Sequence, residues 1–568
     1  MTGPAREGRW FWVFAGCVVV VALGLRFWGV GYGLPAVFNA DEPHHINVAV
    51  SFGRGSLNPG IFKYPTLWMY VLFGAYGAYF LVWSGLGLMR PVAEFGQLFV
   101  WHPGAFYLIA RLLSAAFSAL ALHRVYRAGA VLGEARAGMW AAALLAVSPT
   151  LIASAHAARS DSLLLLLASV AWWSALRYHI RGRPRDLALC GAAVGLSASS
   201  HYIAAPLALV VPTAWCVRRW GGRGADRPPG AGGLLLALIA IPAAFFAGSP
   251  FVLLDWPAFV RDIRDVQAMA AAVAEAPAGA VVLRNMLSFA GAWAGGLAFA
   301  GGALWLAWRR RPLAVLLLLP VAGQVLFLAS SPNGAWARFL IGVYPALALA
   351  AGLGAEALCR SLSADRFQAV VRAAVLLALM LPGAWKSYAF DADLVLSDTR
   401  TLAARWIEDN IRPGTRVLTF SEHTSPPLRL SRAHVERLLE RTRREGHPRQ
   451  RYYALMAAAH PGGGYDVYRV LQRASVLQAG PRHVAWSARG RAVLDVYEGL
   501  APARSAGIGV VVYTSYGADA EGFRALGRFL RETEAEGELL KEFRPEPGAV
   551  RGPVIRVFRI DGSEVLGS

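Results

Sequence analysis

Long apolar runs separated by short basic connectors dominate the first 390 residues of the chain. Runs such as AAALLAVSPTLIASA and LAVLLLLPVAGQVLFLA are long enough, as helices, to cross a hydrocarbon core of about 30 Å. The pattern predicts a polytopic α-helical membrane protein with about eleven spans. The spans lie near residues 10–30, 105–123, 137–157, 161–180, 186–199, 202–217, 232–250, 286–307, 312–330, 338–358 and 367–386.

One further apolar stretch, residues 65–89, either crosses the membrane or lies along its outer surface. With the N-terminus inside, a surface position places every basic connector on the inner side, as the positive-inside rule expects. If the stretch crosses, all later loops are inverted. We therefore predict a juxtamembrane segment at 65–89. The connectors that decide this are residues 123–136, 177–185, 217–227, 308–312 and 359–372.

The composition changes sharply after residue 390, because residues 391–568 hold 22 of the 36 acidic residues. Helix and strand patterns alternate in this region. The sequence therefore predicts a membrane domain at 1–390 and an extracytoplasmic soluble α/β domain at 391–568. The predicted elements are a helix and a strand within 398–420, a strand at 508–516, an amphipathic helix at 521–537 and a terminal strand at 553–560.

The overall composition excludes several classes of protein. The chain is 56% hydrophobic and 16% charged, whereas soluble domains are about 25% charged. A net charge of +20 would indicate nucleic acid binding in a soluble chain, but the arginines cluster in the connectors, so no nucleic acid partner is predicted. The cysteines show no metal-ligand spacing and indicate neither a disulfide framework nor a zinc site. They are Cys17, Cys190, Cys216 and Cys359.

Two adjacent carboxylates, Asp41 and Glu42, follow the first span in the stretch FNADEPHHIN. A carboxylate at a membrane surface is costly unless it is solvated, paired or used in function. On the outer face it can act as a general base on a hydroxyl, hold a divalent cation or pair with an arginine. The alternative is a helix N-cap, with Asn39 or Asp41 capping the helix that follows.

A second isolated acid, Asp161, lies at the junction of two predicted spans, two residues after Arg159. Burial of its charge would cost several kcal/mol unless it is paired or solvated. Asp161 is therefore a second candidate catalytic acid. A plain Arg159–Asp161 ion pair or a helix cap explains the same placement.

Further polar residues fall on the predicted outer face. Lys63 is the only lysine in the first 385 residues, and a lysine at this interface suits a phosphate. Arg338 begins a span and is a second candidate phosphate contact. For both cations, anchoring at the interface is the alternative. The remaining candidate substrate contacts are Glu42, Tyr64, Arg159, His201 and Tyr202, and a divalent-metal site is hypothesised at Glu42, His44 and His45.

The order of these features resembles the GT-C membrane glycosyltransferases. The likeness is closest to the phospholipid-carrier-dependent enzymes of glycosyltransferase family 39 type, which include protein O-mannosyltransferases and the lipid A aminoarabinose transferase. An acidic pair after the first span, a KYP motif opening an apolar segment, and a second acid between the third and fourth spans carry the likeness. The matching stretches, within residues 10–360, are FNADEPHHINVAV, FKYPTLWMYVLFGA, RLLSAAFSALALHRVYRAGAVLG, ARSDSLLLL and RFLIGVYPALALAAG.

The resemblance implies inverting transfer of a sugar from a polyprenyl-phosphate donor to a lipid, glycan or protein acceptor outside the plasma (inner) membrane. Asp41 would then be the catalytic carboxylate and Asp161 a second acid near the site. Lys63 and Arg338 would contact the donor phosphate. A ligase or polymerase that moves whole lipid-linked glycans shares this donor class and stays open. A flippase or transporter is the other alternative, although no internal repeat is visible.

Overall fold

A computed structural model of the chain describes residues 9–88, 91–221, 230–273, 278–291, 293–331, 336–362, 368–471, 490–518 and 526–561. The chain divides into two compact units. The first unit comprises Met1–Val30, His44–Ala75 and Leu108–Ala392. The second unit comprises Gly31–Pro43, Tyr76–Tyr107 and Asp393–Ser568. The predicted division of the chain at residue 390 stays a prediction.

Helices form nearly all of the described chain before residue 395. In order they are α1 Arg9–Phe27, α2 Glu42–Ser51, α3 Leu67–Gly85, α4 Val92–Trp101, α5 Gly104–Val131, α6 Ala135–Ala146, α7 Pro149–Ala155, α8 Asp161–Arg181, α9 Pro184–Ser200, α10 Val210–Gly221, α11 Ala231–Gly248, α12 Phe251–Leu254, α13 Trp256–Val273, α14 Gly279–Leu287, α15 Trp293–Arg309, α16 Arg311–Ala329, α17 Tyr344–Leu362 and α18 Gln368–Leu394. Three 3₁₀ helices lie at Phe52–Arg54, Tyr202–Leu209 and Ala337–Val343.

The prediction of a helical membrane protein is confirmed, with differences in detail. Among the described residues, seven helices are long and apolar enough to cross a membrane, or eight if the bent pair α6 and α7 counts as one span. The predicted span at 286–307 is divided between α14 and α15. The segment 65–89 contains α3, which also satisfies the length and composition of a span. Its placement at the outer surface stays a prediction.

The helices of the first unit pack closely through small residues. A Cβ on Gly191 or Gly195 of α9 would collide with the carbonyl oxygen of Ala237 or Ile241 in α11. Small residues allow this approach of two backbones, which is typical of helix packing in membranes. Helix α17 is buried along most of its length, whereas α11 and α18 expose large apolar side chains, as lipid-facing helices do.

The second unit contains a six-stranded mixed sheet. Its order is β4-β3-β2-β5-β8-β6, in which β4, β3, β2 and β5 are parallel and β8 and β6 are antiparallel to their neighbours. The strands are β2 Arg416–Thr419, β3 Asp466–Val470, β4 Val493–Leu494, β5 Val510–Thr514, β6 Glu538–Phe543 and β8 Ile555–Arg559, with β1 Ser397–Asp398 and β7 Val550–Arg551 paired separately. The helices are α19 Thr399–Asn410, α20 Arg432–Arg444, α21 Gln450–Ala458, α22 Ala501–Ser505, α23 Ser515–Ala518 and α24 Gly527–Glu536.

The predicted α/β character of this region is confirmed. Helix α19 and strands β2, β5 and β8 form where the pattern predicts them. The predicted helix at 521–537 is present as α24, and its residues 521–525 lie outside the described residues. Apolar side chains fill both faces of the sheet, as a sheet covered on both sides requires.

Candidate active site

Asp41 and Glu42, at the start of α2, differ in how far their side chains are buried. The Oδ1 atom of Asn39 accepts a hydrogen bond from the Asp41 backbone N–H at 3.0 Å, which closes a tight turn. Helix α2 then begins at Glu42, whose side chain is 0% exposed, whereas Asp41 is half-buried. This bond closes a turn ahead of the helix and is not a cap of its first turn, so the capping alternative stays a prediction. Solvent therefore reaches Asp41 but not Glu42.

Four of the predicted residues meet in the first unit, and we call His44, His45, Tyr64 and His201 the histidine–tyrosine cluster. The Tyr64 ring lies 5.2 Å from the ring of His44 and 4.8 Å from that of His45, between centroids. It also packs edge-on against His201 at 5.9 Å. The cluster joins the start of α2, the KYP motif and the end of α9.

The electrostatic environment makes one member of this cluster neutral. Burial lowers the pKa of His45 well below its ordinary value, and His44, His201 and Arg159 lower it further. The imidazole of His45 is thus uncharged at neutral pH. It can donate or accept hydrogen bonds, but it does not supply a positive charge.

The predicted pair of Arg159 and Asp161 forms an ion pair. Arg159 Nε lies 3.0 Å from Asp161 Oδ2, and the two side chains are only 15% and 4% exposed. Asp161 is the first residue of α8, where a negative charge also interacts favourably with the helix dipole. The ion-pair alternative therefore accounts for the placement of Asp161, and its catalytic role stays a prediction.

The backbone between α7 and α8 is fixed by buried donors. Trp68 Nε1 donates to the carbonyl of Ala158 at 3.3 Å. Ser114 Oγ donates to the carbonyl of Arg159 at 3.4 Å, and Ser200 Oγ to that of Ser160 at 3.3 Å. These bonds hold the turn that carries the ion pair.

Two acids that the sequence analysis did not select position the KYP motif. The Phe62 backbone N–H donates to Asp262 Oδ2 at 2.7 Å, and Asn58 Nδ2 donates to Asp255 Oδ2 at 2.9 Å. Asp262 is buried, and the half-buried Lys63 follows directly after Phe62. Isolated acids in the segment DWPAFVRDIRD, which the sequence predicts to lie on the outer face, were the available signal for this role.

Arg338 and Tyr202 lie among aromatic side chains. The Arg338 guanidinium carbon is 5.0 Å from the ring centroid of Trp336 and 5.5 Å from that of Phe339. Phe339 in turn packs against His201 at 5.7 Å. These contacts agree with interfacial anchoring of Arg338 and also bring it to the edge of the histidine–tyrosine cluster. The Tyr202 hydroxyl is buried without a hydrogen-bond partner among the described residues.

A second group of buried polar side chains, Arg26, His156 and Asp391, also lies in the first unit. Both ring nitrogens of His156 face carbonyl oxygens, those of Ile152 at 2.9 Å and Trp28 at 2.8 Å. Asp391 Oδ1 lies 3.6 Å from His156 Nε2. Arg26 donates to Ser118 and to the carbonyls at the end of α6. Charged residues inside apolar runs were the signal for this group.

The hypothesised metal site is not assembled. Within the described ranges, no three His, Cys, Asp or Glu side chains come together as a metal-ligating group. Glu42, His44 and His45 lie within four positions of the chain but do not form such a set. The His44 and His45 rings instead pack on Tyr64.

Comparison with known proteins defines the class of fold. A family model described as dolichyl-phosphate-mannose-protein mannosyltransferase matches residues 104–245. The structure of ArnT from Cupriavidus metallidurans bound to undecaprenyl phosphate is similar over 98% of this chain and 99% of that chain, with 14% identity and a TM-score of 0.54. The apo structure of that protein is similar over 96% and 97%, with 14% identity and a TM-score of 0.52. The chain therefore has the GT-C fold.

A third structure is less similar. The oligosaccharyltransferase of Archaeoglobus fulgidus, tethered with an acceptor peptide, shares 13% identity with a TM-score of 0.46 over 96% of this chain and 74% of that chain. No curated protein sequence matches this chain.

Proposed function

We propose that the chain is an integral membrane glycosyltransferase. It moves a sugar from a polyprenyl-phosphate donor to a hydroxyl of a lipid, glycan or protein acceptor, with inversion at the anomeric carbon. The observation that carries the proposal is the likeness in fold to a protein bound to undecaprenyl phosphate, which extends over 98% of this chain. The outward-facing carboxylates and cations supply the groups that the reaction needs.

Asp41 is the catalytic carboxylate in this proposal. It accepts the proton of the acceptor hydroxyl while that oxygen attacks the anomeric carbon from the side opposite the phosphate. The bond between the anomeric carbon and the phosphate oxygen breaks, and its electron pair leaves with polyprenyl phosphate. Asp41 suits this role because it is half-buried at the start of α2, whereas Glu42 is enclosed.

Lys63 and Arg338 are the cations that we propose for the donor phosphate. Negative charge builds up on the leaving phosphate, and positioned cations stabilise it most strongly where water is excluded. Arg159 already neutralises Asp161 at 3.0 Å. Its proposed role is to hold Asp161 in place and to contact the sugar, together with Tyr64, His201 and Tyr202.

The proposed location is the plasma (inner) membrane, with the site and the region 391–568 on the extracytoplasmic side. The distribution of basic connectors supports this orientation. Nucleotide sugars are cytoplasmic, so transfer at the outer face requires a donor that is carried by a lipid.

Mass spectrometry of envelope glycolipids and glycans tests the proposal. A host strain that lacks the gene should lose one glycan modification and accumulate its lipid-linked donor. The full chain should restore the modification, Asp41→Asn should not, and the exposed control Asp409→Asn should. Restoration by Asp41→Asn at normal expression would contradict the catalytic assignment. Movement of a lipid-linked sugar across the membrane, with no new glycosidic bond, would favour a transporter.

A further inference from the structure

The segment that leads into Asp41 is held by the C-terminal part of the second unit. The Val37 carbonyl accepts a hydrogen bond from His423 Nδ1 at 3.0 Å. The Arg400 guanidinium carbon lies only 3.6 Å from the ring centroid of Phe38. All of these residues belong to the same compact unit. Residues more than 360 positions apart in sequence thus meet three residues before Asp41.

The Arg400 guanidinium is fixed along its edges, which leaves its face for Phe38. Nε and Nη2 donate to the two carboxylate oxygens of Asp398 at 2.8 and 2.7 Å. Nη1 donates to the His423 carbonyl at 2.6 Å. Arg400 is 5% exposed, and attraction between a cation and an aromatic face is strongest when the cation is desolvated. We call Arg400, Asp398, His423 and Phe38 the arginine clamp.

Asp398 keeps the clamp charged. Burial alone would raise the pKa of this carboxyl, but hydrogen bonds and positive charge from Arg400, and then charge from Arg551, outweigh burial and lower the pKa. Asp398 also accepts the backbone N–H of Arg400 at 2.9 Å as the N-cap of α19. The clamp is thereby built into the first turn of a helix.

The loop is shaped to present Phe38. Gly33 has φ +72°, and a Cβ there would lie 2.8 Å from Phe38 Cδ2, so the ring packs where a side chain would otherwise be. Beyond Phe38, the turn closed by Asn39 leads directly to Asp41. The loop therefore transmits the position of Phe38 to Asp41 through two intervening residues, Asn39 and Ala40.

The clamp lies at the carboxyl ends of strands β2 and β5, a position at which other open α/β sheets commonly bind ligands. His423 follows β2, and Tyr516, whose ring is 5.9 Å from Arg400, follows β5. The chain order reverses between these two strands, because β3 and β4 lie on one side of β2 and β5 lies on the other. In open α/β sheets, ligands bind at the carboxyl ends of strands at such a point. Here the chain's own segment at Val37 and Phe38 contacts that edge.

We propose that the C-terminal region acts as the positioning element for Asp41, with Arg400 as the positioning residue and Phe38 as its contact. The catalytic role of Asp41 is the one part of this inference that rests on the proposed function. The clamp fixes the carboxylate rather than binding substrate. Its loss should therefore lower kcat and leave KM for the donor unchanged.

Hydrogen–deuterium exchange of the full chain in detergent tests the contact without any assay of activity. Arg400→Gln and Phe38→Leu should each raise exchange of the amides within residues 31–41 by about tenfold relative to wild type. Phe38→Leu leaves the Asp398–Arg400 pair intact, so it reports on the loop even if Arg400→Gln perturbs α19. The exposed Arg405→Gln in the same helix is the matched control and should leave exchange unchanged. Wild-type exchange in both clamp variants would overturn the proposal.

Transfer kinetics test the consequence, with lipid-linked donors extracted from host membranes as the probe. Arg400→Gln and Arg400→Lys should each lower kcat about 10- to 100-fold. Neither side chain has the planar guanidinium that donates two hydrogen bonds to Asp398 and stacks on the Phe38 ring. Phe38→Tyr should retain kcat, and the double variant Phe38→Leu/Arg400→Gln should be no slower than Arg400→Gln alone. Equal kcat for wild type and Arg400→Gln, while Asp41→Asn is inactive, would reject the inference alone. Full activity of Asp41→Asn would reject the proposed function instead.

Discussion

Asp41 and Asp161, the two aspartates predicted to be catalytic on the outer face, are surrounded by different kinds of structure. Asp161 begins a long helix, is almost fully buried, and has its charge neutralised by Arg159 at 3.0 Å. Asp41 begins a short helix, is half-buried, and follows a loop whose backbone and Phe38 ring are clamped by the C-terminal region. In sequence both acids are carboxylates predicted to lie on the outer face, Asp41 beside Glu42 after the first span and Asp161 at the junction of two spans.

The difference separates two uses of a carboxylate near a membrane. An acid that is paired and enclosed contributes to the structure, because its charge is compensated where solvent cannot reach it. An acid that is partly accessible to solvent can meet a substrate. We therefore propose Asp41 rather than Asp161 as the catalytic base, and substitutions at each should have different consequences.

The largest expected effect is that of Asp41→Asn on turnover. Removal of a general base typically costs about 10²- to 10⁴-fold in rate. The amide keeps the size of the side chain, so the unfolding temperature should stay within about one degree of wild type. Transfer assays and thermal unfolding of the purified full chain check both expectations. A large loss of stability in Asp41→Asn would show that Asp41, like Asp161, has a structural role.

Asp161→Asn should instead destabilise the protein, because it leaves the buried charge of Arg159 uncompensated. Breaking one partner of such a pair costs about 3–5 kcal/mol. The double variant Arg159→Met/Asp161→Leu should recover most of this loss, since no charge then remains buried. Denaturation of the single and double variants measures the difference. Wild-type stability of Asp161→Asn would show that the pair is not structural.

Asp262→Ala should have an intermediate effect through the KYP motif. It removes the acceptor of the Phe62 backbone N–H, and an unsatisfied buried donor costs about 1–3 kcal/mol. Because Lys63 follows Phe62, KM for the lipid-linked donor should rise while kcat changes less. Asp265→Ala, on the same helix, is the comparison variant. Equal KM values for Asp262→Ala and Asp265→Ala would show that Asp262 does not affect donor binding.

The smallest expected effect is a pH dependence of stability due to His45. Its pKa is lower in the folded protein than in the unfolded chain, so the unfolded chain binds the proton first as the pH falls. The contribution to stability is therefore complete above the ordinary value near 6.5 and is lost below it, with a slope of up to about 1.4 kcal/mol per pH unit. His45→Gln should flatten this part of the unfolding profile between pH 7 and 5. An unchanged slope in His45→Gln would show that His45 does not cause this pH dependence.

Much of the membrane region could be predicted because each apolar helix carries its own signal. The runs at 161–180 and 312–330 became α8 and α16 almost residue for residue. The break between α6 and α7 had a local signal as well, since the residue before a proline avoids helical geometry and Ser148 precedes Pro149. The prediction of one span at 137–157 did not include this break.

Contacts between distant segments could not be predicted in this way. The bond from Phe62 to Asp262 joins residues 200 positions apart, and the clamp joins the first loop to α19. Such pairs depend on how helices and strands pack, which hydrophobic periodicity does not encode. Their placement next to apolar spans identified Asp41 and Asp161 as candidates, and the resemblance to GT-C enzymes implies that both lie near one site. Their different burial is visible only in the structure.

The most direct test of the central claim is transfer by the purified full chain in liposomes supplied with lipid-linked donors extracted from host membranes and with their envelope acceptors. The account predicts release of one polyprenyl phosphate for each new glycosidic bond, inverted configuration at the anomeric carbon by NMR, and loss of both products with Asp41→Asn. A product that retains the donor's configuration, or undiminished transfer by Asp41→Asn, would contradict it.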